Sequence, residues 1–473
     1  MIFKRFFDPK LAQSSYLIGC TTTRVALVVD PNRHVDQYLQ AAREDGLRIT
    51  HVTETHIHAD FVSGVRELAA RTGAKLYLSG AGGPDWQYGY AAEAGATLLE
   101  DGRRFMVGQV EIRALHLPGH TPEHLTFLVT DAETAAEPMG ALTGDFLFVG
   151  DVGRPDLLER AVGSRGTMEE GARQLFRSIQ TFRTFSDYLQ IWPGHGAGSA
   201  CGKSLSAVPQ STLGYEKRFN WAFRIDDESE FVRAVLAGQP DPPRYFAQMK
   251  RINVSGPKLL GEIRPPVRLD LVALVSALAA GQTVVDTRDA AEFGRGAIPG
   301  TINIPATKAF TTWAGSLLPY DRDFYLIIDG SSEHMAAELA RDLAGIGLNR
   351  TAGYFNTQVV ADWRNSRGRL QTIPAVTLHE LPAGGRNSEV VLDVRGVGEW
   401  NAGHVPGSLN VPVGELEARF QDLPRDRPLI VHCQTGLRAG IAASLLRAGG
   451  FTDVRVFPGG FSEWRSAGQP VAT

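Results

Sequence analysis

One block of sequence occurs twice in the second half of this chain, and it limits the fold more than any other feature. Val285-Asp-Thr-Arg-Asp-Ala-Ala-Glu-Phe-Gly-Arg-Gly-Ala-Ile-Pro-Gly-Thr-Ile-Asn-Ile-Pro305 returns as Leu392-Asp-Val-Arg-Gly-Val-Gly-Glu-Trp-Asn-Ala-Gly-His-Val-Pro-Gly-Ser-Leu-Asn-Val-Pro412. Asp, Arg, Glu, Gly, Pro, Gly, Asn and Pro recur at one fixed offset. A second match joins Tyr325-Leu-Ile-Ile-Asp-Gly to Leu429-Ile-Val-His-Cys-Gln. A unit this long, present twice, implies two copies of one domain rather than a solenoid.

The first 200 residues read differently. Short apolar runs at Ser15–Gly19, Val25–Val29, Ile49–Thr53, Lys75–Ser79 and Val110–Leu115 have strand character. Helical stretches fall near His34 to Arg43 and Val62 to Arg71. Where apolar runs end, four motifs appear in order: Thr55-His-Ile-His-Ala-Asp-Phe61, Pro118-Gly-His-Thr121, Thr143-Gly-Asp145 and Pro193-Gly-His-Gly196. His-x-His-x-Asp opens a metal-binding loop. In two-metal hydrolases another His follows the Asp, whereas here Phe61 stands in that place, and a phenyl ring cannot ligate. The expectation is the chemistry of a single ion.

Bulk properties exclude several classes. At 473 residues the chain is too long for one core, and roughly two to four domains follow. Lys and Arg number 48 against 52 Asp and Glu, so no basic field points to nucleic acid. Three cysteines make no disulfide framework and fit a reduced, cytoplasmic setting. No apolar run reaches about 18 residues, so no membrane span is expected. A homo-oligomer is compatible with such a chain.

Order and spacing of the four motifs resemble the metallo-β-lactamase superfamily and, within it, the persulfide dioxygenases. The repeated block resembles rhodanese domains. These resemblances imply an α/β chain: a metallo-β-lactamase αββα sandwich followed by two rhodanese-like α/β domains. The expected boundaries are 1–237 for the dioxygenase-like domain and 238–264 for a linker rich in Pro and Gly. Residues 265–373 would be a rhodanese-like copy without catalytic Cys, and 374–473 the copy with Cys433.

Carried over residue by residue, the resemblance implies that His56, His120 and Asp145 form a two-histidine, one-carboxylate triad for one Fe(II) per chain. Zinc is the alternative, because a His₂-Asp set accepts more than one metal. His58, Asp60 and His195 would be remnants of a two-metal pattern that orient ligands and water. Arg154 is expected to place an anionic substrate, since guanidinium suits carboxylate. Tyr215 and Cys201 are further candidates for the substrate cleft, and Cys20 reads as core.

In the last copy Cys433 follows an apolar strand and precedes a helical run. Backbone N–H groups of Gln434, Thr435, Gly436 and Leu437 would cradle an anionic sulfur at the helix N-terminus, with Arg438 adding positive charge. The first copy holds Asp329 at the cysteine position and His334 at that of Arg438. A carboxylate cannot carry a sulfane sulfur, so that copy is expected to be silent. Together the resemblances imply oxidation of a low-molecular-weight thiol persulfide, such as glutathione persulfide, by O₂ to sulfite. Cys433 would exchange sulfane sulfur among persulfide, sulfite and thiosulfate. The alternative is a glyoxalase II-like thioester hydrolase with a fused sulfurtransferase.

Overall fold

The computed structural model describes residues 1–162, 166–329, 333–382 and 388–473. It divides into two compact units: Met1–Ile263 with Ala344–Gly347, and Arg264–Leu343 with Leu348–Thr473.

The first unit is built on two six-stranded sheets. One contains β1 (Ile2–Asp8), β2 (Gln13–Cys20), β3 (Val25–Val29), β4 (Arg48–Thr53), β5 (Lys75–Ser79) and β6 (Thr97–Leu99), in that spatial order. β1 to β3 are antiparallel and β3 to β6 parallel. The other contains β7 (Arg104–Val107), β8 (Val110–His116), β9 (Leu125–Asp131), β10 (Gly140–Gly144), β11 (Gln190–Pro193) and β12 (Ser211–Thr212). Side chains that alternate along a strand point to opposite faces, and here both faces are buried. Ile18, Leu27 and Val29 meet Ile112, Phe127, Val129, Leu142 and Trp192 between the sheets. Their neighbours Leu17, Ala26 and Val28 pack outward with Tyr38, Val65 and Leu68 from the helices Asp36–Glu44 and Val65–Thr72. On the far side Leu128, Ala141 and Ile191 pack with Leu175, Ile179 and Phe182 of the helix Thr167–Phe182. The layers are helix, sheet, sheet, helix, the sandwich expected. Cys20 lies in the core between the sheets.

Residues 238–264, expected as a linker, contain the helix Phe246–Ser255. Asn253 on this helix donates from Nδ2 to the carbonyls of His58 (2.7 Å) and Phe61 (2.8 Å), and its Oδ1 accepts from Ser63 N (3.0 Å). A buried carbonyl needs a donor, so this stretch packs into the first unit and braces the His56 loop.

The second unit holds two four-stranded, wholly parallel sheets. The first comprises β13 (Thr283–Asp286), β14 (Ile302–Asn303), β15 (Phe324–Ile328) and β16 (Thr351–Asn356), ordered β14-β13-β15-β16. The second repeats that order with β17 (Val390–Asp393), β18 (Leu409–Asn410), β19 (Leu429–His432) and β20 (Val454–Val456), as β18-β17-β19-β20. The repeated block thus forms the same strand pair in each copy.

Candidate metal centre and cysteine loop

Four strand-end loops bring the metal motifs together. After β4, Thr55 is pinned by Asp30, which accepts from Thr55 N (2.6 Å) and from Thr55 Oγ1 (3.0 Å). That hydroxyl has one proton and gives it to a carboxylate, so it accepts from Nδ1–H of His56 at 2.9 Å. His120 Nδ1 donates to the Arg154 carbonyl (3.0 Å), and His195 Nδ1 to the Ala12 carbonyl (3.1 Å). All three rings therefore turn Nε2 inward. These atoms lie 3.9, 3.5 and 3.6 Å from Asp145 Oδ2 for His56, His120 and His195 respectively.

Asp145 is wholly buried, and among the described residues neither carboxylate oxygen accepts a hydrogen bond. A buried carboxylate facing imidazole nitrogens is costly without a cation between them. His56, His120 and Asp145 offer ligand atoms all within 4.8 Å of one another. The donor set fits a metal. Burial holds both imidazoles neutral: the His56 pKa lies well below the ordinary histidine range, and that of His120 is also lowered.

His58 turns elsewhere. Its Nε2 sits 3.2 Å from Asp30 Oδ1, and although burial alone would depress it, the bond and charge of Asp30 raise its pKa to about 9. Its Nε2 is thus taken up by Asp30, while its buried Nδ1 has no hydrogen-bond partner among the described residues. Phe61 is fully buried with its ring 4.3 Å from that of His58. Asp60 Oδ2 stands 3.2 Å from His195 Nε2. Cys201 is buried beside them, its thiol pushed well up by burial and by the charges of Asp145 and Asp60.

One sequence expectation is corrected. Arg154 is fully buried, its Nε and Nη2 bound to Asp156 (2.8 and 2.7 Å) and its Nη1 and Nη2 to the Ala200 and Pro240 carbonyls (3.2 and 2.6 Å). It is committed to holding its own loop and does not offer its guanidinium to a substrate. Tyr215 is 52% exposed, its ring against that of Phe219.

Sequence reading passed over His124 and Glu123. His124 Nε2 accepts from Asp145 N (3.1 Å), and its ring lies on that of His56 at 5.1 Å. Glu123 Oε1 accepts from Ile57 N (2.7 Å), with its pKa raised by burial to about 7. The available signal was the pair of polar residues closely following His120 just before an apolar strand.

In the last copy Cys433 follows β19, and its Sγ accepts from Gly436 N (3.1 Å) at the start of the helix Leu437–Ala448. Gly436 has φ +99°, and a Cβ there would come 2.4 Å from the Pro458 carbonyl oxygen. Gln434 is fixed by Arg395 Nη1 (3.2 Å) and by its own donation to Ser462 Oγ (2.9 Å), while Thr435 is exposed. Arg438 is not a free charge: Glu399 accepts from its Nη1 and Nη2 at 2.5 and 2.8 Å. In the first copy Asp329 follows β15 at the equivalent place and accepts from Thr357 Oγ1 at 3.4 Å; His334 lies on the helix Glu333–Gly345. Residues 330–332 of that loop lie outside the described ones.

Comparison with known proteins accords with this geometry. The metallo-beta-lactamase superfamily model matches residues 8–195, and the rhodanese-like domain model matches 271–362 and 377–467. A solved metallo-beta-lactamase from Staphylococcus aureus subsp. aureus COL is similar at 44% identity and TM-score 0.69, over 75% of this chain and 99% of that one. A hydroxyacylglutathione hydrolase of Rhodospirillum rubrum is 33% identical, over 50% of this chain and 80% of its own length. The mitochondrial persulfide dioxygenase of Bos taurus is 30% identical over the same shares, 50% and 80%. The chain belongs to the metallo-β-lactamase superfamily and carries two rhodanese-like domains behind that fold.

Proposed function

We propose that the protein is a persulfide dioxygenase joined to a sulfurtransferase, with His56, His120 and Asp145 holding one Fe(II). The observation that carries this reading is the triad itself. Two neutral imidazoles and one unpartnered carboxylate converge, while His58 is bound to Asp30 and Phe61 occupies the place of a further ligand. Two His and one carboxylate on one face leave coordination positions open for a second and third reactant. Bound there, iron supplies the redox chemistry by which O₂ converts the sulfane sulfur of a thiol persulfide to sulfite.

The chain's own groups have definite tasks. The carbonyl of Arg154 and the hydroxyl of Thr55 fix the ring tautomers of His120 and His56. His124 steadies Asp145 through its backbone N–H. Burial of all these side chains keeps bulk water away from the reacting sulfur. In the last domain the Cys433 thiolate takes up sulfane sulfur as a persulfide and passes it to a thiophilic acceptor such as sulfite, supported by Gly436 N. The Asp329 copy, with no thiol in that position, has no transfer chemistry. A cytoplasmic setting suits the three free cysteines.

The similar hydroxyacylglutathione hydrolase keeps a thioester hydrolase in view, with water as nucleophile. Oxygen consumption separates the two readings. Iron-loaded protein should take up O₂ with glutathione persulfide. His120→Ala should lose that uptake and keep thiosulfate sulfurtransfer, and Cys433→Ser should do the reverse. Thioester hydrolysis without O₂ uptake would defeat the oxidative reading.

A further inference from the structure

The helix that carries the Cys433 cradle is covered where a helix flanking a small sheet is usually wet. All six residues from Ile441 to Leu446 are buried. That run is longer than one turn of about 3.6 residues, so every side of this stretch is out of water. The corresponding helix of the first copy, Glu333–Gly345, keeps Glu338, Arg341 and Asp342 on a partly exposed side. The outer strands differ in the same sense. In the first copy β14 is buried at both Ile302 and Asn303, whereas β18 of the last copy leaves Leu409 exposed.

Two contacts show what covers the helix. Asn303 N donates to Ser444 Oγ at 2.8 Å, and Ser444 Oγ gives its own proton to the Ile441 carbonyl at 2.7 Å. An N–H on a buried sheet edge needs an acceptor, and this serine supplies it. One turn earlier Gly440 faces Ala290: a Cβ on the glycine would come 3.0 Å from the alanine Cβ. Gly440 and Ser444 stand at i and i+4 and therefore share one side of the helix. That side is turned to the copy that has Asp329 in place of a cysteine. At the N-terminus of the same helix Gly436 N meets Cys433 Sγ at 3.1 Å.

We propose that the first copy is the seat of the Cys433 helix, with Gly440 and Ser444 as positioning residues for sulfur transfer. The proposal rests on the sulfurtransferase reading of Cys433 and gives the copy without a thiol a task in it. A displacement at Gly440 is carried along the helix to Gly436, one turn away. Lengthening the Gly436 N–Sγ contact weakens support for the thiolate, which is the attacking form.

The test uses the full chain and measures the pH midpoint of Cys433 alkylation by iodoacetamide, with the modified peptide quantified by mass spectrometry. Gly440→Val drives a branched side chain against Ala290 and should raise the midpoint by about half a unit or more. It should lower kcat for thiosulfate sulfurtransfer about tenfold and change KM about twofold at most. Adding Ala290→Gly, in the other copy, should restore roughly half or more of both losses. Ser444→Ala strips the acceptor from Asn303 N without adding bulk and should raise the midpoint as well. Should Gly440→Val not fold, Ser444→Ala decides alone. Asp329→Ala should leave midpoint and kcat at their parental values. A parental midpoint in folded Gly440→Val or in Ser444→Ala, or no rescue by Ala290→Gly, overturns the proposal. If the unaltered protein moves no sulfur from thiosulfate, the sulfurtransferase reading fails, while the alkylation midpoints still decide whether the first copy seats the helix.

Discussion

At the scale of single residues, the chemistry of both candidate sites depends on where neighbouring protons and charges are committed. Thr55 decides which nitrogen of His56 is free, because its only proton goes to Asp30. Glu399 decides how much of the Arg438 charge Cys433 feels. The Glu399 carboxyl is pushed up by burial, but its bond to Arg438 and that cation's charge outweigh this, so its pKa lies below the usual 4.5. A depressed carboxyl contributes stability above its unfolded pKa and loses it as pH falls through the folded value. Glu399→Gln should therefore lower the melting temperature of the second unit at neutral pH, with the gap to the parent closing as pH drops below 4.5. The same variant leaves Arg438 uncompensated, which favours the thiolate, so iodoacetamide should alkylate Cys433 faster. A gap unchanged at acid pH would mean that the ion pair contributes nothing.

At the scale of elements, the strand ends work as ligand mounts only because particular glycines let loops approach. Gly144 closes β10 immediately before Asp145 with φ +49°, and a Cβ there would fall 2.4 Å from Thr55 Oγ1 and 2.8 Å from His124 Nε2. Both neighbours hold the triad in place. Gly144→Ala should thus destabilise the first unit by about 1–3 kcal/mol, from backbone strain and displaced neighbours. It should also weaken metal binding, read by chelator competition. An alanine variant with parental stability and metal affinity would show that the loops have slack. In the second unit the helix Leu437–Ala448 buries Ile441, Ala442, Leu445 and Leu446, so its N-terminal cradle for Cys433 rests on a helix anchored by its own core contacts.

For the whole molecule, metal and thiol chemistry stand on separate cores, since the chain forms two compact units. A metal that binds only the folded first unit stabilises it by mass action, about 2.7 kcal/mol at a free concentration one hundred times Kd. Calorimetry of metal-free protein should show that adding Fe(II) or Zn²⁺ raises the transition of the first unit and leaves that of the second in place. A uniform upward shift would mean that the units unfold together.

The local sequence already held the triad, the cysteine loop and the duplication, because each is a short motif whose meaning lies in residue type and spacing. His56, His120 and Asp145 fall at ends of apolar runs, and Cys433 stands between a strand and a helical run. Contacts across many residues were invisible there. That Arg154 spends its guanidinium on Asp156 and on carbonyls as far along the chain as Pro240, that His58 is claimed by Asp30, that Asn253 braces Phe61, and that Cys201 reaches Asp60 all follow from tertiary packing. Residue identity sets what a side chain is able to bind. Which partner it meets is set by burial, where every donor and lone pair must be satisfied by whatever the fold brings within reach.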